Sequence, residues 1–392
     1  MDEKKTIITP AQFADICPIE DKDFHNEMSL LVQEPAFKRI VRMMLPDYKY
    51  SQLVRVLLSL HSKHELQMKI MRPFVESLLA KTSSGLTYSG LENIDQQTHY
   101  TYITNHRDII LDSAQLSYTL LQNGMDSVEI AIGNNLLIFN WITRLVRLNR
   151  CFIVKRNLGR MQTLAAAIQL SGYMHWAVTQ KGTSVWIAQR EGRCKDGNDR
   201  TQESLLKMLT YGNREVSFVD SLKELNIAPI AISYEYDPND RLKAQEYLLK
   251  SKNPNYKKSE EDDLESMRIG LMEKKGHIHY AFTPCINEDL AAIPADLDRL
   301  LTVQRICAVI DHAIHANYKI YKTNYMAHDL LFDNKEFGDR YSAEELKEFT
   351  DYLMGQIDKI TIPFNDSDRN YMFKYMLQMY SNPLTNYLEA TR

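Results

Sequence analysis

The chain has 392 residues, 44% apolar and 25% charged, which is the balance of a folded protein and excludes a disordered tail or linker. With only 14 glycines and 12 prolines, long loops and β-barrels are disfavoured, and a helix-rich or α/β chain is expected. The 47 Lys and Arg residues against 51 Asp and Glu give a formal net charge of −4, without the basic excess of a nucleic-acid-binding protein, so any attraction to phosphate has to be local.

Residues 1–90 carry mainly helical periods and no convincing alternating strand. The opening Met1-Asp2-Glu3-Lys4-Lys5 is not followed by an apolar core and a small-residue cleavage site, so no secretory signal is expected. Between Lys38 and Lys63, Arg39, Arg42 and Arg55 alternate with Ile40, Val41, Met43, Met44, Leu53 and Leu57, which reads as two amphipathic helices packed on the core around Pro46. Adsorption of the same stretch to a membrane surface is the alternative.

From Thr98 the pattern changes to short β-rich runs separated by helical stretches: 98–104, 127–133, 151–156, 184–189, 227–236 and 277–283. Such alternation implies a mixed, mostly parallel sheet covered by helices on both faces. The apolar window Val128 to Leu148 is interrupted by Asn134, Asn135, Asn140, Arg144 and Arg147, so no membrane span is expected there. The charged run Ser251 to Arg268 reads as an exposed connection entering a helix, and helical periods return over 297–321, 343–357 and 366–380. The chain thus divides into an N-terminal helical domain (1–90), an α/β domain (91–290) and a C-terminal helical layer (291–392).

Chemistry-bearing residues gather at the strand ends. The first β-rich run leads into Asn105-His106-Arg107-Asp108, with Asp112 four residues on, and a neutral imidazole beside a carboxylate is a general-base candidate. Gly133, Asn134 and Asn135 end the second run and suit a tight turn exposing backbone donors. The third ends in Lys155 and Arg156, and the fourth runs into Arg190-Glu191-Gly192-Arg193-Cys194-Lys195. Two cationic clusters at strand ends of one sheet can converge on a phosphate. Asp311, His312 and His315 have helical spacing and read as packing residues, so no metal is expected. The five cysteines (Cys17, Cys151, Cys194, Cys285, Cys307) form no C-x-x-C pair, which indicates neither a disulfide framework nor a zinc ribbon and makes a reducing cytoplasmic compartment the default. His106-Arg107-Asp108 matches a kinase catalytic loop only superficially, because no Gly-rich loop precedes it and no D-F-G follows. Within Met161 to Val178, the apolar residues Leu164, Ile168, Met174 and Trp176 read as packing against the sheet, with the lining of an acyl-chain groove as the alternative.

Together these blocks resemble the glycerolipid acyltransferase family, most closely its glycerol-3-phosphate and 1-acylglycerol-3-phosphate acyltransferase branch, over roughly Gly90 to Tyr236. His106 and Asp112 resemble its first motif, Phe152-Ile153 with Lys155 or Arg156 its second, Glu191-Gly192-Arg193 its third, and Pro229 to Glu235, ending Tyr234-Glu235, its fourth. The spacing departs from the family's: five residues separate His106 from Asp112 where the family has four, leaving Asp108 as an alternative to the favoured Asp112. The basic residue of the second motif falls at Lys155 or Arg156.

The resemblance implies an α/β acyltransferase fold and O-acyl transfer from an acyl-CoA or acyl-carrier-protein thioester to a hydroxyl of glycerol 3-phosphate or 1-acylglycerol 3-phosphate in phospholipid biosynthesis, with no resident cofactor. His106 is then the base and Asp112 its orienter, Lys155 or Arg156 and Arg193 hold the acceptor phosphate, and Glu191 and Gly192 shape the turn. The partners implied are the thioester carrier, a glycerol phosphate or lysophospholipid acceptor and the inner face of the cytoplasmic membrane, with no nucleic acid. A non-catalytic lipid- or acyl-carrier-binding protein, and an acyltransferase acting on an amino-acid-derived lipid, are the alternatives.

Overall fold

The computed structural model describes residues 9–44 and 49–392, so the pivot expected at Pro46 lies outside the described residues. The N-terminal layer includes helices Asp21–Gln33, Pro35–Met44, Tyr50–Leu58 and Arg72–Thr82. Phe24, Met28 and Leu31 recur at helical spacing on the first of these and bury against Phe37, Leu57, Leu60 and Leu66. Each such side chain contributes about 1.5–3 kcal/mol when fully removed from water, so this layer has a core of its own.

Seven strands form one mixed sheet: β1 (Ser83–Ser89), β2 (Thr101–Thr104), β3 (Glu129–Gly133), β4 (Cys151–Val154), β5 (Val185–Ala188), β6 (Ile227–Tyr234) and β7 (Gly276–Phe282), in the order β1-β7-β6-β2-β5-β3-β4. Every pairing is parallel except β6 with β7. β2 to β6 therefore end along one edge of the sheet, where the crossovers to helices leave room for a ligand.

β1 is a strand that the mainly helical reading of residues 1–90 did not contain. Its sequence, Ser-Ser-Gly-Leu-Thr-Tyr-Ser, is short of apolar residues because it is an edge strand with mostly solvated side chains, so it carries little of the alternation that marks a buried strand.

The two faces of the sheet carry separate cores. Ile130, Trp186, Ile230 and Tyr280 pack with Leu116 and Leu120 of helix Leu111–Gln122. Phe152, Ile187 and Ile227 pack with Leu170 and Tyr173 of helix Arg160–Trp176 and with Ile306 and Ile310 of helix Arg299–His315. Met174 and Trp176 are buried in this second core as expected, whereas Leu164 and Ile168 of the same helix are exposed. Helices Lys322–Phe332, Ala343–Asp358 and Asp366–Thr391 close the C-terminal layer around Phe349, Leu353, Met376 and Tyr380. Asp311 and His315 serve this packing: Asp311 Oδ1 accepts the N–H and hydroxyl of Thr201, and His315 Nε2 donates to the Asp199 carbonyl at 2.7 Å. His312 is exposed.

Candidate active site

The loop after β2 is pinned before it reaches His106. Asn105 is fully buried and makes a reciprocal pair with β6, its Nδ2 donating to the Ile232 carbonyl at 2.9 Å and its Oδ1 accepting the Ile232 N–H at 2.8 Å. The next residue, His106, places Nδ1 2.8 Å from Asp112 Oδ2. The carboxylate assigns the tautomer: Nδ1 carries the proton and donates to Asp112, leaving the Nε2 lone pair facing a cleft. The imidazole stands edge-on to Trp186, with centroids 5.7 Å apart, which restricts its rotation.

Asp112 is wholly buried, and its charge is answered from four sides. Oδ2 accepts the N–H groups of Arg107 at 2.6 Å and Asp108 at 3.0 Å besides the imidazole, and Oδ1 accepts the Tyr234 hydroxyl at 3.1 Å. A carboxylate held by four fixed donors cannot rotate.

Asp108 has another role in this geometry. Its Oδ1 accepts the N–H groups of Ile110 and Leu111 at 2.9 and 2.8 Å, capping helix Leu111–Gln122, and its Oδ2 accepts from Asn239 Nδ2 at 3.1 Å. Burial first, then the neighbouring Asp112, raises its carboxyl above the usual range. Helix Glu260–Met272 leans on this carboxylate at Gly270, where a Cβ would stand 2.0 Å from Asp108 Oδ2, so only glycine fits.

The turn after β5 is strapped to the same loop, since the Cys194 N–H donates to the His106 carbonyl at 2.9 Å. Gly192 sits in it at φ +71°, a left-handed conformation suited to glycine. The following Arg193 lines the cleft, and its Nη1 is buried with no protein partner among the described residues. Such a donor marks a place for an anion.

After β4, the Arg156 N–H donates to Asn134 Oδ1 at 2.8 Å and its guanidinium lies 3.3 Å from the exposed Glu191 carboxylate. Lys155, the other basic residue of that pair, donates to Asp15 at 2.5 Å and Gln169 at 2.9 Å, so its charge is already answered.

His106, Lys155, Arg156, Glu191, Gly192 and Arg193 all line one cleft of about 1630 Å³. Two further features belong to this cleft. Lys195 also lines it, paired with Glu246, and burial pulls its ammonium down to about 8 against the opposing pull of that carboxylate. The charged run before Arg268, expected as an exposed connection, forms a wall of the cleft through Lys258, Asp263, Leu264, Met267 and Arg268. Only its helical period was available from the sequence, because no strand or motif near it signals contact with the loops 105–112 and 190–195.

The cleft forks around the strand ends. One arm runs on the face of Ile130, Ile132 and Trp186, between Ala114, Ser117 and Leu121 of helix Leu111–Gln122 and Val146 of helix Asn140–Leu148. The other runs on the opposite face, between Ala167 and Leu170 of helix Arg160–Trp176 and Leu205 and Met208 of helix Glu203–Leu209. Because neighbouring residues of a strand point to opposite faces, Trp186 lines the first arm and Ile187 the second.

The Acyltransferase family model matches residues 85–232, the span from β1 to β6 that holds the site. Residues 85–232 are thus similar to an acyltransferase domain. Among solved structures, the chain is similar to the 1-acyl-sn-glycerophosphate acyltransferase PlsC from Thermotoga maritima, at 11% identity over 74% of this chain and 94% of that one, with a TM-score of 0.34. No curated protein matches the chain. Among the described residues, no helix is long and apolar enough to cross a membrane, and no cluster of three His, Cys, Asp or Glu side chains could hold a metal ion.

Proposed function

We propose that the chain moves an acyl group from a coenzyme A or acyl-carrier-protein thioester to the free hydroxyl of 1-acylglycerol 3-phosphate, working at the surface of the cytoplasmic membrane. The observation that carries the reading is the His106–Asp112 pair at 2.8 Å with Nε2 open to a cleft that holds both a cationic rim and apolar arms. In the reaction Nε2 takes the proton of the acceptor hydroxyl as its oxygen attacks the thioester carbonyl. The C–O bond forms, the C–S bond breaks, and the proton passes from His106 to the departing thiolate, so no other reactant is needed. Asp112 holds the imidazole in the required tautomer and stabilises the imidazolium that forms. Arg193 and Arg156 hold the acceptor phosphate, and the turn at Gly192 brings backbone N–H groups toward the carbonyl oxygen as it gains charge.

Two arms on opposite faces of the sheet favour an acceptor that already carries a chain. The donor acyl group fills one arm, and the acceptor's acyl chain lies in the other, whose rim carries the exposed Leu164 and, beside it, Met161 at 82% exposure. A lipid drawn partway from a bilayer keeps its chain next to such an apolar rim, and Met43 and Phe139, both exposed and lining the cleft, extend it.

The test supplies palmitoyl-coenzyme A or palmitoyl-acyl carrier protein together with either glycerol 3-phosphate or 1-acylglycerol 3-phosphate, and reads products by mass spectrometry. Diacylglycerol phosphate is the expected product. Monoacylated product from glycerol 3-phosphate alone would reassign the acceptor, and no product from any pairing would overturn the reading.

A further inference from the structure

Beneath Asp112, on the side away from His106, two tyrosines and a glutamine meet. Tyr234 ends β6, and Tyr280 lies on the antiparallel neighbour β7, where Tyr234 pairs with Ile278 and Ile232 with Tyr280, so the two rings are diagonal neighbours on one face. That face is the one covered by helix Leu111–Gln122. The Tyr234 hydroxyl lies 3.1 Å from Asp112 Oδ1 and 3.0 Å from Gln115 Oε1, and the Tyr280 hydroxyl lies 2.8 Å from the Asp112 carbonyl oxygen and 3.1 Å from the same Gln115 Oε1.

Four contacts share two hydroxyl protons, while the Gln115 Nε2 is buried with no partner among the described residues. The imbalance resolves if the amide is turned over, a choice that the hydrogen-bond network decides. Its NH₂ then donates to both phenol oxygens, and each hydroxyl is free to donate onward, Tyr234 to the Asp112 carboxylate and Tyr280 to the Asp112 backbone carbonyl. The cost is one unpaired amide oxygen in place of an unpaired NH₂.

Resting on the acyl-transfer reading, we propose that Tyr234, aimed by Gln115, is a positioning residue that acts on His106 through Asp112. Among the described residues, Asp112 Oδ2 has three donors, but Oδ1 has only the Tyr234 hydroxyl. This bond fixes the carboxylate plane and takes up part of its charge, which sets how strongly Oδ2 attracts a protonated imidazole. Burial holds the Tyr234 phenol well above its ordinary range, so it remains a donor throughout the working pH. The other charged groups around the pair are placed differently. Asp108 lies beside Asp112, Arg193 and Lys275 act on Asp108, and the Arg107 side chain turns away to Asp199 at 2.7 Å.

The experiment compares the pH dependence of kcat/KM for the full-length wild type, Tyr234→Phe, Gln115→Met and Tyr280→Phe, with circular dichroism confirming that each is folded. Without the hydroxyl, the Asp112 charge is less answered and holds the imidazolium more tightly, so His106 becomes a free base only at higher pH. Tyr234→Phe should lower kcat/KM about tenfold and move the acid limb upward by about one pH unit, as expected for loss of a hydrogen bond to a charged group. Gln115→Met should move the limb in the same direction, and Tyr280→Phe, which meets Asp112 only at its backbone carbonyl, should leave it in place. A folded Tyr234→Phe enzyme whose limb does not move, or a limb that moves equally in Tyr280→Phe, overturns the assignment. A wild type without transfer activity would instead sink the acyl-transfer reading on which it rests.

Discussion

The loop from Asn105 to Asp112 and the cationic rim from Arg156 to Lys195 face the same cleft and are built on opposite plans. In the loop nearly every polar atom is spoken for: Asn105 is doubly bonded to β6, Asp108 caps a helix, and Asp112 accepts from four donors. On the rim, Arg193 keeps a buried nitrogen without a partner among the described residues, and the Arg156 guanidinium pairs with an exposed carboxylate beside the cleft. The contrast separates two tasks. A proton transfer needs one fixed geometry, which the protein supplies itself, whereas substrate binding needs donors that the protein leaves unsatisfied.

Kinetics of single substitutions can break or sharpen this division, and the largest effect is expected in the loop. Asp112→Asn should remove the carboxylate without changing its volume and lower kcat about 10²–10⁴-fold, the range expected when general-base catalysis is disabled. Its KM for the acceptor should stay within about twofold of wild type, because the rim is untouched. Arg193→Ala should do the reverse, raising the acceptor KM about 10- to 100-fold through loss of charge-assisted bonds to phosphate. Equal losses of kcat in both variants would erase the division. A smaller effect is expected at the support: Gly270→Ala drives a methyl group into Asp108 and should destabilise the fold by about 1–3 kcal/mol, read as a lower midpoint in urea denaturation. An unchanged midpoint would show that helix Glu260–Met272 yields freely at this contact.

The same contrast explains what could be read in the sequence. The six strands from β2 to β7 were visible because their apolar runs are bounded by turn residues, and the basic clusters were visible because they interrupt those runs. His106 and Asp112 stood out through the family resemblance, while their separation of 2.8 Å needed the fold. Choosing between Asp108 and Asp112 required knowing where the helix begins, since the residue that caps it cannot also face the imidazole. The meeting of Tyr234, visible only as the end of the fourth motif, with Tyr280 was hidden for a different reason: they are 46 positions apart, and only the antiparallel register of β6 and β7 makes them neighbours. The wall formed by helix Glu260–Met272 was likewise invisible, because its charges suggest a solvated surface while its glycine lies against a buried carboxylate.

The most direct measurement is acceptor-dependent thiol release from palmitoyl-coenzyme A or palmitoyl-acyl carrier protein, followed for the wild type and His106→Ala at saturating 1-acylglycerol 3-phosphate. The account expects release that requires the acceptor and falls at least about 10²-fold in His106→Ala, with acceptor binding retained. Release that proceeds equally without acceptor, or that survives loss of the imidazole, would contradict it.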